Sequence, residues 1–258
     1  MKLGLGMSLN LSLKQRVRRH PRRYVALGGG VAGLVLVAGA AGMASAAGAA
    51  GAASTYNFGS GYSAIDGTFT SVGANWIQPT ATCDGGDQQT GFWVGLSGTG
   101  TIAQIGTAAN CDGDTPDYYS WWEMYPAAGV PTGNVTEPGD HMHATVVYDG
   151  DDEFTMVLMN VTRGWTMMED KTQVSTGGTP ISANVIVEAN SDTGAAGSSG
   201  NVTDFGSVTF SGATVNGESL GSFQLWTGNL ADMRGVQEDS ISALQGGRKF
   251  TATWLSNG

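Results

Sequence analysis

The stretch from Phe92 to Pro126 constrains the fold more than any other part of the chain. It holds three segments of strand-like composition, FWVGLSG, IAQIG and YYSWWEMYP, with only short turns between them. Side chains of an extended strand alternate between two faces, so Trp121, Glu123 and Tyr125 point one way and Trp122 points the other. This much aromatic surface requires a second layer on one side, and the aromatic and acidic face is left to line a groove. That groove is the candidate working surface.

The rest of the chain has the same character. Short segments rich in Val, Thr, Phe and Trp are separated by Gly, Asn, Asp and Pro, for example in GTFTSVGANWIQP, HATVVYDGDDEFTMVLMN, ISANVIVEAN and FGSVTFSGATVNG. Frequent turn signals between alternating segments are typical of an antiparallel β-sandwich of the jelly-roll kind. We find neither an internal repeat nor a second domain, so the sequence predicts one all-β domain.

Residues 1–46 have the pattern of a targeting segment. Seven Lys and Arg residues precede the apolar run VALGGGVAGLVLVAGAAGM, which leads into Ala44-Ser45-Ala46. That order is typical of a signal peptide with a small-residue cleavage site, and the arginine pairs leave a twin-arginine signal as one option. The alternative is an uncleaved membrane anchor, but the run is rich in Gly and Ala and therefore weakly apolar for a stable span. We expect cleavage after Ala46 and a secreted protein without stable membrane association, consisting of a flexible linker at 47–55 and a β domain at 56–258.

Cleavage would change the charge of the protein. The chain has 12 Lys and Arg and 22 Asp and Glu, and seven of the basic residues lie in the segment that is lost. Five basic residues then remain against 22 acidic ones, a formal charge of −17. Such a charge argues against nucleic acids and anionic membranes as partners. It also predicts that compact folding is easier at mildly acid pH, where carboxylates are protonated.

Cys83 and Cys111 are the only cysteines. In an exported protein we expect them to form a disulfide, which would close a loop across FWVGLSG. A zinc site would need more ligands than the chain offers, because His141 and His143 alternate onto one strand face without a carboxylate partner in view. We therefore expect neither a metal nor another cofactor.

The familiar catalytic arrangements fit the sequence poorly. No nucleophile motif accompanies the histidines, and the triplet that starts at Asp192 occurs once, within a glycine-rich loop, whereas an aspartic peptidase needs two facing aspartates. Two polar residues on strands remain, Gln104 in IAQIG and Glu188 at the end of NVIVE. By alternation alone, each could equally be an ordinary outward-facing polar residue.

The ordered series of motifs resembles the glutamic peptidases, or eqolisins, which are acid endopeptidases of fungi with bacterial relatives. The resemblance runs from YNFGSGY at 56 through GTFTSVGANWIQP, FWVGLSG, IAQIG, YYSWWEMYP, LMNVTRG, NVIVE and DFGSVTF, and it favours a bacterial-type member. It implies two curved antiparallel sheets with a substrate cleft on the concave face. It also implies a catalytic pair, Gln104 and Glu188, and a substrate-binding role for four further residues: Trp93, Trp121, Glu123 and Tyr125.

These residue types suit amide hydrolysis without a metal or a covalent intermediate. Glu188 would activate a water molecule as a base, and Gln104 would stabilise the oxyanion through its amide, which does not titrate. A free Glu has a pKa of about 4.3, so we expect Glu188 to work at acid pH without a large shift. The expected partners are protein or peptide substrates, and the expected state is a monomer.

The chain departs from the family pattern close to this pair. Positions that are acidic in relatives read Ser97, Ala108, Asn110 and Asn184. The loss of these neighbouring carboxylates would lower the pKa of Glu188. Alternatively, the loss would mark a chain that is no longer catalytic. The rival hypothesis is therefore a non-catalytic binding module, in which the aromatic residues stack on sugar rings or on peptide.

Overall fold

The computed structural model describes residues 54–56, 59–172, 178–189 and 201–257. The predicted signal peptide and the triplet at Asp192 lie outside these residues. The predicted linker also lies outside them, except Ser54 and Thr55, which belong to the first strand. None of the described residues forms a helix of the length and apolarity that a membrane crossing requires.

The described residues form 16 strands and one short 3-10 helix at Leu220–Ser222. The strands in chain order are β1 (Ser54–Tyr56), β2 (Gly59–Ile65), β3 (Ser71–Ile77), β4 (Gln88–Gly98), β5 (Thr101–Asp112), β6 (Thr115–Tyr125), β7 (Val130–Pro131), β8 (His141–Gly150), β9 (Glu153–Asn160), β10 (Trp165–Thr172), β11 (Ser182–Ala189), β12 (Ser207–Val215), β13 (Glu218–Ser219), β14 (Gln224–Leu230), β15 (Asp239–Ile241) and β16 (Phe250–Trp254).

The strands make two sheets of eight. The first sheet has the order β1-β14-β2-β11-β4-β5-β6-β7, and the second has the order β10-β9-β8-β3-β12-β16-β15 with β13 paired to β12. Every pairing is antiparallel except the one between β1 and β14. The prediction of an all-β antiparallel sandwich is confirmed.

The main core lies between the two sheets and follows the alternation of each strand. In β4, Phe92, Val94 and Leu96 are fully buried in it, and the intervening residues face the other side of the first sheet. Trp122 packs against this core, as its alternation with Trp121 predicts. The first sheet therefore has a core face and an outer face that is turned away from the second sheet.

The disulfide between Cys83 and Cys111 is present, with the two Cα atoms 5.6 Å apart. It ties the segment before β4 to the end of β5, two strands that also pair along their whole length. The predicted disulfide is confirmed. It fastens the two strands that carry Trp93 and Gln104.

Candidate active site

The outer face of the first sheet carries a row of polar residues on neighbouring strands. Gln104 on β5 lies opposite Gly95 on β4 and Glu123 on β6, and Gly95 in turn lies opposite Asn184 on β11. Residues directly opposite in a ladder point to the same face. Asn184, Gln104 and Glu123 therefore share one face, with a glycine between the first two.

Glu188 and Trp93 lie on the same outer face. Glu188 on β11 is opposite Gly91, and Trp93 on β4 is opposite Ile186, which lies two residues before Glu188 on the same side. The indole Nε1 of Trp93 donates a hydrogen bond of 2.8 Å to Oε2 of Glu188. Only 6% of the surface of Glu188 is exposed, so this bond satisfies a carboxylate oxygen that has little access to water.

Two glycines let the Trp93 side chain lie flat against the sheet. A Cβ on Gly106 would stand 2.2 Å from the backbone oxygen of Phe92 and 2.7 Å from Cβ of Trp93. A Cβ on Gly95 would stand 3.0 Å from both Cζ3 of Trp93 and Cβ of Gln104. Cζ3 of the Trp93 indole and Cβ of Gln104 thus both approach the space directly above Gly95. Trp93 therefore bridges the space from Glu188 towards Gln104.

The amide of Gln104 is fixed on one side and free on the other. Its Nε2 donates a hydrogen bond of 2.7 Å to Oε2 of Glu123, whereas its buried Oε1 has no partner among the described residues. A side-chain amide has two N–H donors, so a second donor is also available. Because Gln104 is 1% exposed, an unpaired acceptor here is costly unless another molecule satisfies it.

Burial raises the pKa of both carboxyl groups at this site. The pKa of Glu188 rises to about 7 because burial disfavours the ionised form, against the opposing effect of the Trp93 N–H. The pKa of Glu123 rises to about 9, through burial and then through the negative charge of Glu188, while the hydrogen bond from Gln104 opposes the rise. The expectation that Glu188 works without a large shift of its pKa is therefore wrong, and so is the expected lowering of that pKa, because burial removes water from the carboxyl group.

The other predicted binding residues share this face. Trp93 and Trp121 belong to a small apolar cluster with Ala108, Tyr119 and Ile186, separate from the main core. Trp121 is 1% exposed, so it forms the floor and not the rim of the site. Tyr125 is half-buried opposite Ile102 at the far end of β6. All six residues predicted for catalysis and binding lie on the outer face of the first sheet.

Three of the four positions that are acidic in the family pattern, Ser97, Asn110 and Asn184, carry uncharged polar side chains that form hydrogen bonds. Asn184 donates through Nδ2 to Oγ of Ser97 at 2.8 Å and to the backbone oxygen of Gly95 at 3.2 Å. Asn110 donates through Nδ2 to the hydroxyl of Tyr119 at 3.1 Å. These contacts hold β4, β5, β6 and β11 together without adding a charge to the site.

The pairing of Gln104 with Glu123 is absent from the sequence-based predictions, which assign Glu123 to substrate binding. The short connection between IAQIG and YYSWWEMYP was the available signal, since adjacent antiparallel strands bring such residues opposite each other. The contact of Trp93 with Glu188 had no comparable signal, because 95 positions separate the two residues.

The other candidate ligands and bases lie elsewhere. His143 is on the second sheet, where its Nδ1 lies 2.8 Å from Oδ1 of Asn75. In the part of the chain that the structure describes, no three His, Cys, Asp or Glu side chains are grouped so that they could hold a metal ion.

Comparison with known proteins identifies one family. The family model for the Peptidase A4 family matches residues 56–253. No curated protein sequence matches the chain.

Several solved structures share the fold. A scytalido-glutamic peptidase bound to a transition state analog inhibitor is 21% identical, with 77% of this chain and 98% of that chain covered and a TM-score of 0.66. SCP-B, a member of the eqolisin family in a complex with the tripeptide Ala-Ile-His, is 20% identical over the same shares, with a TM-score of 0.63. Aspergilloglutamic peptidase from Aspergillus niger is 23% identical, with 65% and 99% covered and a TM-score of 0.55.

Proposed function

The chain belongs to the Peptidase A4 family of glutamic endopeptidases, and we propose that it cleaves peptide bonds with Glu188 as the base and Gln104 as the oxyanion-stabilising partner. One observation carries the proposal. The amide of Gln104 is buried and held by Glu123, yet its Oε1 is unpaired, and it lies on the same sheet face as the buried carboxyl of Glu188. A water molecule and a substrate carbonyl are the groups that such an amide and carboxylate would satisfy.

The chemistry follows from the free atoms of the two side chains. Oε2 of Glu188 accepts the N–H of Trp93, so the other carboxylate oxygen takes a proton from water while Oε1 of Gln104 accepts the second water proton. The oxygen of the water then forms a bond to the carbonyl carbon of the substrate. The negative charge moves to the carbonyl oxygen, which the second N–H of Gln104 stabilises. Glu188 returns its proton to the amide nitrogen, the C–N bond breaks, and an acid and an amine leave.

Glu123 acts as a positioning residue in this scheme. It contacts Gln104 and fixes which end of the amide faces the substrate. Since its pKa is about 9, Glu123 is protonated at acid and neutral pH and brings no charge next to the developing oxyanion. The proposed substrate-binding residues are Trp93, Trp121 and Tyr125, of which Trp121 is the buried floor beneath the substrate.

The proposed working pH is mildly acid. Only the ionised form of Glu188 can take a proton from water, and with a pKa of about 7 its ionised fraction falls about tenfold for each pH unit below that value. Activity per enzyme molecule should therefore rise from pH 4 towards pH 7. The excess of acidic residues works in the opposite direction, because ionisation weakens the fold as the pH rises.

The remaining sequence predictions complete the proposal. The enzyme would be exported after loss of residues 1–46 and would act on proteins or peptides outside the cell, as a monomer and without a cofactor. The strongly negative charge of the chain beyond residue 46 suits an extracellular protein that does not bind nucleic acid.

The test is proteolysis of a protein substrate across pH 3–8 with pepstatin present, comparing the wild type with Glu188→Gln and Gln104→Ala. Loss of one oxyanion donor typically lowers turnover by about 100- to 1000-fold, and loss of the base should be at least as severe. Glu169→Gln is the matched control, because Glu169 is a carboxylate paired with Lys171 on the second sheet. Near wild-type cleavage by Glu188→Gln or by Gln104→Ala would overturn the proposed catalytic roles of these two residues. Binding of glycan or peptide without cleavage at any pH would favour the rival binding module.

A further inference from the structure

Trp226 lies at the far end of the row of residues that contains Gln104. Trp226 on β14 is opposite Ser63 on β2, and Ser63 is opposite Asn184 on β11. The row continues from Asn184 through Gly95 to Gln104 on β5. Residues directly opposite in a ladder point to the same face, so the indole of Trp226 projects from the outer face of the first sheet. It therefore shares that face with the candidate active site.

The indole of Trp226 reaches towards the active site across β2. Trp226 packs against the small apolar cluster that contains Trp93 and Ile186. Only β2 separates β14 from β11, which carries Ile186, whereas the other members of the cluster lie further away on β4, β5 and β6. Ile186 is therefore the member of the cluster that lies nearest to Trp226 along the sheet.

Glycines on β2 leave room for this contact. Gly61 lies opposite Ile186 and has a φ of 132°, and a Cβ there would stand 2.3 Å from the backbone oxygen of Val185. This position therefore accepts only glycine. A Cβ on Gly59 would stand 2.9 Å from Cγ2 of Ile186, so the Ile186 side chain leans over β2. Trp226 and Ile186 thus form one apolar surface above the backbone of β2.

This apolar surface borders an uncharged floor. Trp226 is only partly buried, so part of its ring is available to a bound molecule. Beside it, Ser63 and Asn184 are 8% and 7% exposed. Nδ2 of Asn184 donates to the backbone oxygen of Gly95 and to Oγ of Ser97. An aromatic wall above neutral, hydrogen-bonded polar groups suits an apolar side chain better than a charged one.

The positions of Gln104 and Glu188 indicate which part of a substrate would reach Trp226. In the proposed reaction Gln104 binds the carbonyl oxygen, and Glu188 returns a proton to the leaving nitrogen. Glu188 is on β11, which lies nearer to β14 than β5 does. The substrate therefore runs from its scissile carbonyl towards its nitrogen in the direction of β14, and the residues on the amine side of the bond approach Trp226.

The spacing of the strands gives the distance along the substrate. Four strand intervals separate β5 from β14. At about 4.8 Å each they span about 19 Å, which corresponds to about five or six residues of an extended peptide. The side chains of the protein and of the substrate bridge part of this distance. A substrate residue about two to four positions beyond the scissile bond is therefore in reach of Trp226.

We propose that Trp226 and Ile186 form an apolar subsite for an aromatic or large aliphatic substrate residue on the amine side of the scissile bond. The orientation of the substrate rests on the proposed function, whereas the apolar surface does not. An aromatic side chain would stack on the indole. A charged side chain would lose water there without gaining a partner. Trp226 thus selects the bonds that are cut and takes no part in breaking them.

The first test compares cleavage preferences. The wild type, Trp226→Ala and Trp226→Phe digest the same mixture of synthetic peptides at pH 5, and mass spectrometry records the residues on both sides of each cleaved bond. We expect the wild type to favour Phe, Tyr and Leu at one position on the amine side. Trp226→Ala should lose this preference and Trp226→Phe should keep it. Trp165→Ala is the matched control, because Trp165 is also partly buried but packs against the main core from the second sheet.

The second test measures the size of the effect. Two peptides that differ only in Phe or Ala at that position give a ratio of kcat/KM values. In Trp226→Ala this ratio should fall at least about tenfold, chiefly through KM, because the lost contact is made equally in the ground state and the transition state. A merely structural role of Trp226 would lower kcat/KM for both peptides alike. The acid limb of the pH profile should not move.

Three results would overturn the proposal: an unchanged ratio in Trp226→Ala, a change of preference confined to the carbonyl side, or an equal loss of preference in Trp165→Ala. Failure of the proposed function would look different, since Glu188→Gln would still cleave or the wild type would not cleave at all. Fluorescence anisotropy then decides about the subsite, with the fluorescein-labelled Phe and Ala peptides and the Glu188→Gln chain. Weaker binding of the Phe peptide after the added Trp226→Ala change would support the subsite, and equal binding would exclude it.

Discussion

The indole N–H of Trp93 donates a hydrogen bond of 2.8 Å to the carboxyl of Glu188, between two strands that pair although 95 positions separate the residues. This bond favours the ionised form of Glu188 and opposes the effect of burial on its pKa. It therefore keeps the pKa of Glu188 lower than burial alone would make it, and so extends to lower pH the range in which the proposed base is ionised.

Trp93→Phe tests this relationship. The substitution keeps an aromatic ring but removes the donor, so the pKa of Glu188 should rise further and the acid limb of kcat/KM should move to higher pH. At pH 5 we expect a loss of at least about tenfold, corresponding to one pKa unit. The measurement is kcat/KM from pH 4 to pH 8. Trp122→Phe is the control, because Trp122 packs against the main core, and an acid limb that stays in place in Trp93→Phe would contradict the prediction.

The fold itself should be most stable in mild acid. Four buried carboxyl groups have raised pKa values: about 6 for Asp239, about 7 for Glu188 and Glu238, and about 9 for Glu123. Each holds a proton in the folded state that the unfolded chain releases above about pH 4.5, so its stabilising contribution is complete below that pH and declines up to its folded pKa. We expect the melting temperature to fall steadily from pH 5 to pH 8. A melting temperature that rises over this range would contradict the expectation.

Glu123→Gln should make that decline less steep. The wild type loses up to about 1.4 kcal/mol of unfolding free energy per pH unit from this single group while the unfolded chain is ionised and the folded state is not. The amide cannot ionise, so the variant lacks this component between pH 5 and pH 8. Urea unfolding at several pH values measures the slope, with Glu153→Gln as the control because Glu153 is exposed. Parallel curves for Glu123→Gln and the wild type would show that Glu123 is not buried in its neutral form.

Gly95→Ala should impair catalysis by displacing side chains of the site. The new Cβ would stand 2.9 Å from the backbone oxygen of Ala103 and 3.0 Å from both Trp93 and Gln104, so one of these groups must move. Overpacking of this kind costs about 1–3 kcal/mol in stability. We expect kcat to fall at least tenfold in enzyme that is still folded, since small displacements at an active site are costly. Gly133→Ala is the control because a Cβ there meets nothing within 4 Å. Unchanged kcat in folded Gly95→Ala would show that Trp93 and Gln104 need no fixed spacing.

Loss of the disulfide should destabilise the protein without altering the site chemistry. Cys83 and Cys111 are separated by 28 positions, and opening a loop of that size costs about 3–4 kcal/mol in a chain-entropy estimate. For a domain of this size that corresponds to a fall of roughly 10 °C in melting temperature. Calorimetry of the Cys83→Ser, Cys111→Ser double variant measures the fall, and the untreated and reductant-treated wild type provide the comparison. A melting temperature that does not change on reduction would contradict the prediction.

Much of the candidate site follows from local patterns. The two-residue period of β6 places Trp121, Glu123 and Tyr125 on one face, and the same rule applies to Gln104 and Glu188 on their own strands. The structure agrees at each of these positions, because buried alternating strands leave no freedom to turn a side chain to the other face. The catalytic roles of Gln104 and Glu188 rest on the family resemblance, since alternation alone did not distinguish them from ordinary polar residues.

The sequence by itself determined the strands, the faces of their side chains, the disulfide and the family, because these depend on neighbours along the chain or on ordered motifs. Only the tertiary structure decided that β11 lies between β2 and β4, so that Glu188 meets Trp93, and that β14 lies beside β2, so that Trp226 packs against the cluster of Trp93 and Ile186. It also decided the pKa of Glu188, since burial depends on which distant strands exclude water from a carboxyl group. Pairing between strands far apart in sequence is set by the packing of the whole sandwich, and local composition does not encode it.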